Sequence, residues 1–130
     1  MINYMKNDEK LYVIPAASVT KIRKELSELK VTSSYLLKYY VEEREVLAWD
    51  DSPIPVLAEL YCGSASVNSL LDTLSEKPSV EIPEQYLDSL SAEDIVLTNA
   101  DYVGILTLIE SLRTLKASTA MNHGISFEVH

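Results

Sequence analysis

Cys62 and His123 are the residues of this chain whose side chains could act together in nucleophilic catalysis. A cysteine thiolate activated by a histidine is a common nucleophile. The sequence at 62–66, Cys-Gly-Ser-Ala-Ser, lacks the G-x-S-x-G elbow and departs from the C-G-[SA]-C-[WY] signature at its fourth and fifth positions. A buried structural cysteine, a helix stop at Gly63 and a serine cap explain the same residues. An enzyme of unrecognised type is therefore only an alternative.

Metal and cofactor sites are not expected from the sequence. One cysteine with His123 and His130 provides no recognised zinc-ligand spacing, and no D-x-[DN]-x-[DN]-G calcium loop occurs. Neither G-x-G-x-x-G nor G-x-x-x-x-G-K-[ST] is present, which argues against dinucleotide and triphosphate binding. We expect no cofactor.

Negative charge is concentrated in residues 72–110, where nine acidic residues face one base, Lys77. The segment's net charge of −8 is most of the formal charge of −9 of the whole chain. Such a field disfavours nucleic acid and anionic membrane and favours a cationic partner. Four of the acids (Glu84, Glu93, Asp94 and Asp101) lie near predicted helix starts, where they would complement the macrodipole. Solubility could explain the others, but we take Asp72, Glu76, Glu81 and Asp88 as one candidate protein-binding face.

Tyrosine is the second unusual feature, with eight Tyr against one Phe and one Trp. Tyrosine favours the boundary of a core and interfaces because its ring is apolar and its hydroxyl is not. Tyrosine and tryptophan beside carboxylates are typical of a hot spot for an arginine-rich partner, although rings lining the core edge would give the same pattern. The second candidate face comprises Tyr35, Tyr39, Glu42, Glu43, Glu45 and Trp49.

Length and composition indicate one globular domain over residues 1–130, of which 1–10 could be flexible. The chain has 130 residues, 47% of them hydrophobic, and a lone cysteine that excludes an internal disulfide framework. Residues 1–10 carry no signal-peptide pattern, and the longest apolar stretch, 102–112, is too short to span a bilayer. We therefore expect a soluble cytoplasmic protein.

The first half of the chain is expected to contain a strand followed by helices. Leu11–Ile14 is a short apolar run closed by Pro15 and predicts a strand. The spacing of apolar residues from Val19 to Leu29 predicts an amphipathic helix. Residues 33–48 favour a second helix, and a hairpin turning at Glu42–Arg44 is the alternative because Tyr39-Tyr40-Val41 has strand character.

The second half is expected to contain several shorter helices and one long one. Start and stop signals predict helices over Pro53–Cys62, from after Ser64 or Ser66 to an end at Pro78, and over Pro83–Leu90. Ser91-Ala92-Glu93-Asp94 resembles a capping box. A helix over 99–118 is apolar around most of its circumference, which predicts a place in the middle of the fold. The alternation at 125–129 predicts a strand that pairs with the one at 11–14.

These elements predict a mostly helical α+β domain with five to seven helices and a small sheet that includes strands near 11–14 and 125–129. Our functional hypothesis is a non-catalytic acidic protein-interaction domain, in its most concrete form an inhibitor or immunity-type protein that binds a basic protein such as a nuclease toxin. A secretion-chaperone or adaptor-like homodimer that associates through apolar area is the main alternative.

Overall fold

Three long α-helices and a small antiparallel sheet make up the structure, a computed structural model that describes residues 2–6, 9–43, 52–76, 84–91 and 93–127. The sheet has the order β1-β2-β3. Within the described residues, three α-helices and one 3₁₀ helix replace the five to seven helices predicted. The elements in chain order are β1 (Ile2–Lys6), β2 (Glu9–Ile14), α1 (Ala16–Glu43), α2 (Ile54–Glu76), a 3₁₀ helix (Glu84–Ser89), β3 (Ile95–Thr98) and α3 (Asn99–His123).

β2 is the central strand of the sheet. It contains the predicted strand at 11–14 and pairs with β1 on one side and β3 on the other, with Ile14 opposite Ile95. One sheet face adds Ile14, Ile95 and Leu97 to the main core. On the other face, Leu90 covers a second cluster formed by Leu11, Val13 and Val96. Burial on both faces explains why β3 is a continuous apolar run without alternation.

The predicted strand at 125–129 is not observed. Residues 125–127 follow α3 without joining the sheet, and 128–129 lie outside the described residues. The predicted alternation is present in the burial, since Ile125 and Phe127 are buried and Ser126 is exposed. These two apolar side chains join the main core. The pattern arises from a segment that packs on the main core outside the sheet, and both edges of β2 are already occupied by β1 and β3.

α1 is one helix where two were predicted. No glycine or proline interrupts residues 16–43, so the apolar spacing of the first predicted helix continues into the second. The alternative hairpin that turns at Glu42–Arg44 is not observed within the described residues, because α1 continues to Glu43. Residues 44–48 lie outside the described part of the chain. At the other end, the Ala16 N–H donates to the Asp94 carboxylate at 2.7 Å.

Asp94 ties this helix start to the sheet. The carboxylate also accepts from the Ser91 N–H and hydroxyl, both at 3.0 Å. The Ser91–Asp94 signal was interpreted as a capping box, but β3 and not a helix follows it. The carboxylate caps α1, far away in sequence. Because hydrogen bonds to the charged form outweigh the opposing effect of partial burial, the pKa of Asp94 lies below its usual range.

α2 runs through Gly63, which was predicted to stop it. Ser52 begins this helix as expected, with its hydroxyl accepting from the Ile54 N–H at 3.1 Å. Ser64 continues the helix, buried, and donates to the Tyr61 carbonyl at 3.0 Å. A Cβ built on Gly63 would lie 2.7 Å from Leu112 Cδ2. The glycine is therefore explained by the close approach of α3 and not by a left-handed turn.

α1 and α2 pack antiparallel along their lengths. Arg23 near the start of α1 bonds to Asp72 near the end of α2, and Asn68 donates to Ser27 one turn further along at 3.3 Å. Their facing sides supply much of the core, including Leu26, Leu29, Leu57, Leu60, Val67 and Leu71.

α3 begins and ends at clear signals, but its end was predicted five residues too early. The Thr98 hydroxyl accepts from the Asp101 N–H at 3.2 Å, and Gly124, at φ 62°, closes the helix with its N–H on the Ala120 carbonyl. Left-handed backbone of this kind favours glycine. The predicted turn at 122–124 thus begins only after His123.

The prediction that α3 lies in the middle of the fold is wrong. Its buried residues are only Ile105, Ile109, Leu112 and Thr119, which lie along one side. Several large apolar side chains on its other sides are exposed, among them Val103, Leu106 and Leu108. α3 is therefore a surface helix, and it carries more apolar side chains than the core covers.

Candidate interaction surfaces

Tyr35 and Tyr39 project from the second half of α1. They lie one helical turn apart and are 70% and 51% exposed, which makes them unusual, since large aromatic side chains are mostly covered. Glu42, also exposed, lies one turn further along. At 100° per residue, these three residues and the exposed Val31 fall within an arc of about 80°. We call Val31, Tyr35, Tyr39 and Glu42 the α1 face.

The α1 face rests on a packed support. The Tyr40 ring meets the Tyr39 ring edge to face, with centroids 5.2 Å apart. Tyr40 is half-buried and packs against the main core together with Leu36 and Leu37. Tyr40 thus lies at the edge of the core, as expected of a tyrosine, whereas Tyr35 and Tyr39 are exposed. Tyr39 is held by a neighbour that the core itself positions.

Three other members of this predicted face are not placed. Glu43 is the last residue of α1, and its side chain is outside the description. Glu45 and Trp49 lie in 44–51, outside the described residues. Their membership of the face stays a prediction.

The second predicted face is partly engaged in contacts within the chain. Asp72 on α2 is ion-paired with Arg23, whose guanidinium also donates to the Ser75 hydroxyl at 3.3 Å. Glu76 ends α2 and Asp88 lies in the 3₁₀ helix, both exposed. Glu81 is outside the described residues. A carboxylate already paired with an arginine offers less to a cationic partner.

The described members of the two predicted faces that lie on α1 and α2 are at opposite ends of this helix pair. Arg23 marks the end near Asp72, and Tyr39 lies 16 residues further along α1. At 1.5 Å per residue this is a separation of about 24 Å along the axis. One continuous surface therefore does not join Tyr39 to Asp72.

Arg113 neutralises two further carboxylates and links α3 to α1. Its Nε and Nη2 donate to both oxygens of Glu25 at 2.8 and 2.7 Å, and its Nη1 donates to Glu110 at 2.6 Å. The bidentate bond from Arg113 holds the pKa of Glu25 below its usual range, against a smaller opposing effect of burial. The same bonds raise the pKa of Arg113. Glu110, one of the nine acids, is thus paired.

Of the four acids expected at helix starts, two lie at such a start and two precede a strand. Glu84 is the first residue of the 3₁₀ helix and Asp101 lies in the first turn of α3. Glu93 and Asp94 precede β3, so the predicted macrodipole role does not apply to their own segment.

An exposed face of α3 was missed by the sequence analysis. Its residues fall within an arc of about 120° that points away from Ile105, Ile109 and Leu112. Met121, 84% exposed, lies on the same side near the end of the helix. We call the following residues, all exposed, the outer face of α3: Val103, Leu106, Thr107, Glu110, Thr114 and Ser118.

A groove of about 420 Å³ between α2 and α3 adjoins this face. It is bordered by Gly63, Leu70, Leu108 and Leu115 among others. The available sequence signal was the large number of apolar positions around α3, which is more than its packing against α2 and the sheet covers.

Cys62 is exposed on α2, so its interpretation as a buried structural cysteine is wrong. His123 ends α3, eleven residues beyond Leu112, which contacts Gly63. The helix rise makes this about 16 Å along α3, so the packing of the two helices gives no support to a pair formed by Cys62 and His123. The catalytic alternative stays a prediction.

Among the described residues, no group of three or more histidine, cysteine or acidic side chains is arranged to hold a metal ion. None of the described helices has the length and apolar character needed to cross a membrane. Compared with known proteins, the chain matches no family model, no curated protein and no solved structure.

Proposed function

We propose that this chain is a non-catalytic protein-interaction domain that binds a basic segment of a partner protein through the α1 face. An inhibitor or immunity-type protein that covers the cationic site of a nuclease toxin is the most concrete form of this function. The observation that carries the proposal is the exposure of Tyr35 and Tyr39 (70% and 51%) on one side of a helix, one turn from an exposed carboxylate.

The chemistry of this face suits an arginine-rich partner. A guanidinium can stack on a tyrosine ring while its N–H groups reach a carboxylate. Tyr35, Tyr39 and Glu42 offer those two elements side by side. Binding would cost little ordering of the face, since Tyr39 already rests against Tyr40 and a tyrosine has only two side-chain torsions to fix.

The charge of the neighbouring sequence points the same way. Residues 42–51 contain five acids and one base, Arg44, a net charge of −4 directly after the tyrosines. At the opposite end of the helix pair, Arg23 engages Asp72. The α1 face therefore has the stronger claim of the two candidate faces. A field of this sign would speed the encounter with a cationic partner.

The test is fluorescence anisotropy with a labelled peptide of alternating arginine and serine as the probe. We expect the double substitution Tyr35→Ala and Tyr39→Ala to weaken binding by roughly tenfold or more, as hot-spot aromatics do. Val41→Ala is the matched control, because Val41 is exposed on α1 but lies on a different side of the helix. Raising the salt concentration should weaken binding of the original chain by screening.

Two results would overturn the proposal. One is an affinity that the tyrosine substitutions leave unchanged. The other is an equal loss in the Val41→Ala control. Glu42→Gln should reduce the salt dependence of peptide binding. Its control, Glu59→Gln, removes the same charge from an exposed acid on α2 and should change that salt dependence only by the general effect of one unit of net charge.

The alternative of a homodimeric, secretion-chaperone or adaptor-like protein draws on a different observation, the exposed outer face of α3. It does not compete for the same residues, since the α1 face belongs to another helix. A domain could dimerise through one helix and bind its partner through the other.

A further inference from the structure

The two exposed rings of the α1 face set a length scale for its partner. Tyr35 and Tyr39 are four residues apart on one side of α1, a distance of about 6 Å along the helix axis. We propose that the basic segment bound there is extended and carries arginines at alternate positions, in the pattern Arg-x-Arg, with one guanidinium stacked on each ring. This inference rests on the proposed function and specifies the sequence pattern of the partner.

An extended chain repeats on one side at nearly the same distance. Each residue rises by about 3.3 Å, so that the side chains of residues i and i+2 point the same way about 6.6 Å apart. Arginines at these two positions can therefore face Tyr35 and Tyr39 together. Two adjacent arginines point to opposite sides of the segment, and two arginines four residues apart are separated by about 13 Å. Neither of those spacings engages both rings at once.

Glu42 gives the arginine at the Tyr39 end a partner for its charge. It lies about 4.5 Å beyond Tyr39 along the axis and about 60° around it, and both side chains are exposed. A guanidinium stacked on the Tyr39 ring can direct its N–H groups toward this carboxylate. Lys38 is exposed as well, but it lies about 100° from Tyr39 around the helix. The α1 face thus offers an arginine an acid on its own side and carries this base on another side.

A helical partner is less well suited to this face. A helix usually binds by placing its apolar side in a groove, and none of the larger grooves among the described residues is lined by a member of the α1 face. On a helix, a spacing of about 6 Å belongs to arginines at positions i and i+4. An extended and a helical partner therefore require different arginine spacings, and peptides can distinguish them.

The first test is a competition for the labelled peptide of alternating arginine and serine. Three unlabelled peptides of equal length and composition carry two arginines separated by no serine, by one serine or by three serines. We expect the peptide with one intervening serine to compete roughly threefold better than the other two or more, because it alone places a cation on both rings. Equal competition by the three peptides, or the strongest competition by the peptide with three serines, would overturn the inference.

The second test moves one ring along the helix. In a chain with Val31→Tyr and Tyr35→Ala, the rings at 31 and 39 are about 12 Å apart along the axis, which matches arginines four residues apart in an extended segment. We expect the preferred peptide to change from one intervening serine to three. Val41→Tyr with Tyr35→Ala is the matched control, because Val41 is exposed on a different side of α1, and it should not produce this change. An unchanged preference in the Val31→Tyr chain would contradict the proposed ring spacing.

These outcomes are distinct from a failure of the proposed function. If Tyr35→Ala and Tyr39→Ala together leave the affinity for the labelled peptide unchanged, the proposed function is wrong and the inference falls with it. If the tyrosines are required but the three competitors are equivalent, the α1 face binds basic segments without selecting their arginine spacing, and only the inference is wrong.

Discussion

Gly63 of α2 and Leu112 of α3 meet so closely that a Cβ on the glycine would lie 2.7 Å from Leu112 Cδ2. This contact joins the helix that pairs with α1 to the helix that carries the outer face. A glycine in a helix interior costs about 1 kcal/mol relative to alanine. At position 63 this cost is offset, because the absence of a side chain lets α2 and α3 approach closely.

The first prediction compares the two helical glycines. Gly104→Ala should raise the free energy of unfolding by about 1 kcal/mol, because nothing lies within 4 Å of its Cβ position. Gly63→Ala should fall short of that gain by about 1 kcal/mol or more, since the Leu112 side chain must leave its rotamer. Urea unfolding of both variants measures the difference.

A double-mutant cycle makes this prediction specific to the contact. In a Leu112→Ala background, Gly63→Ala should recover the helical gain, because the obstructing methyl groups are gone. Equal effects of Gly63→Ala in the two backgrounds would show that the closeness of α2 and α3 is not what keeps a glycine at 63.

The second prediction concerns Asp94 and pH. Asp94→Asn should lower the free energy of unfolding at pH 7 by about 1–2 kcal/mol, because the carboxylate bonds to Ala16 and Ser91 are charge-assisted. The pKa of Asp94 is lowered by folding, so its contribution is complete above its unfolded value near 3.8. The contribution is lost as the pH falls through the lower folded value.

Urea unfolding of both proteins at a series of pH values checks this. The difference between the original chain and Asp94→Asn should shrink below about pH 4. Asp88→Asn is the matched control, an exposed acid in the 3₁₀ helix, and should change stability little. A difference that stays constant down to pH 2 would mean that the ionised carboxylate does not cap α1.

The same residues show what could be read from the sequence and what could not. The local signal at Ser52 was sound, because that residue acts on its own segment and begins α2. Gly124 also acts locally and closes α3, but the helix end was predicted at Ser118. Local signals failed where the partner is distant. Gly63 stands in a helix because of Leu112, and Asp94 caps a helix 78 residues away in sequence. Local pattern cannot distinguish these cases from a stop and a capping box.

The sheet illustrates the same limit. β2 was predicted, but its partners were not, since β3 is a four-residue run, Ile-Val-Leu-Thr, between a turn and a helix start. Its β-branched residues were an available signal. Of the candidate surfaces, the aromatic α1 face was recognisable from composition. The outer face of α3 was not, because apolar residues around a helix predict burial only when enough neighbours exist to cover them.

The third prediction separates the support of the α1 face from the face itself. Tyr40→Ala should destabilise the protein by about 1–3 kcal/mol because its half-buried ring packs against the core. Tyr35→Ala should change stability by less than about 0.5 kcal/mol because its ring is exposed. Thermal unfolding followed by circular dichroism measures both. A large loss in Tyr35→Ala would place that ring against the rest of the protein and remove it from a binding face.

The fourth prediction uses two serines buried where α1 and α2 meet. Ser33 and Ser64 are both 0% exposed. The Ser64 hydroxyl donates to the Tyr61 carbonyl, whereas the Ser33 hydroxyl has no hydrogen-bond partner among the described residues. A buried polar group without a partner costs about 1–3 kcal/mol. Ser33→Ala should therefore raise the free energy of unfolding by about 1 kcal/mol, after allowance for the small space it leaves.

Ser64→Ala is the matched control, since it removes the same hydroxyl from an equally buried helical position. Because a made hydrogen bond is lost there, we expect no gain and a loss of up to about 1 kcal/mol. Urea unfolding of the two variants under one set of conditions gives the comparison. If Ser33→Ala destabilises the protein as Ser64→Ala does, then the Ser33 hydroxyl has a hydrogen-bond partner in solution, such as a water molecule between α1 and α2.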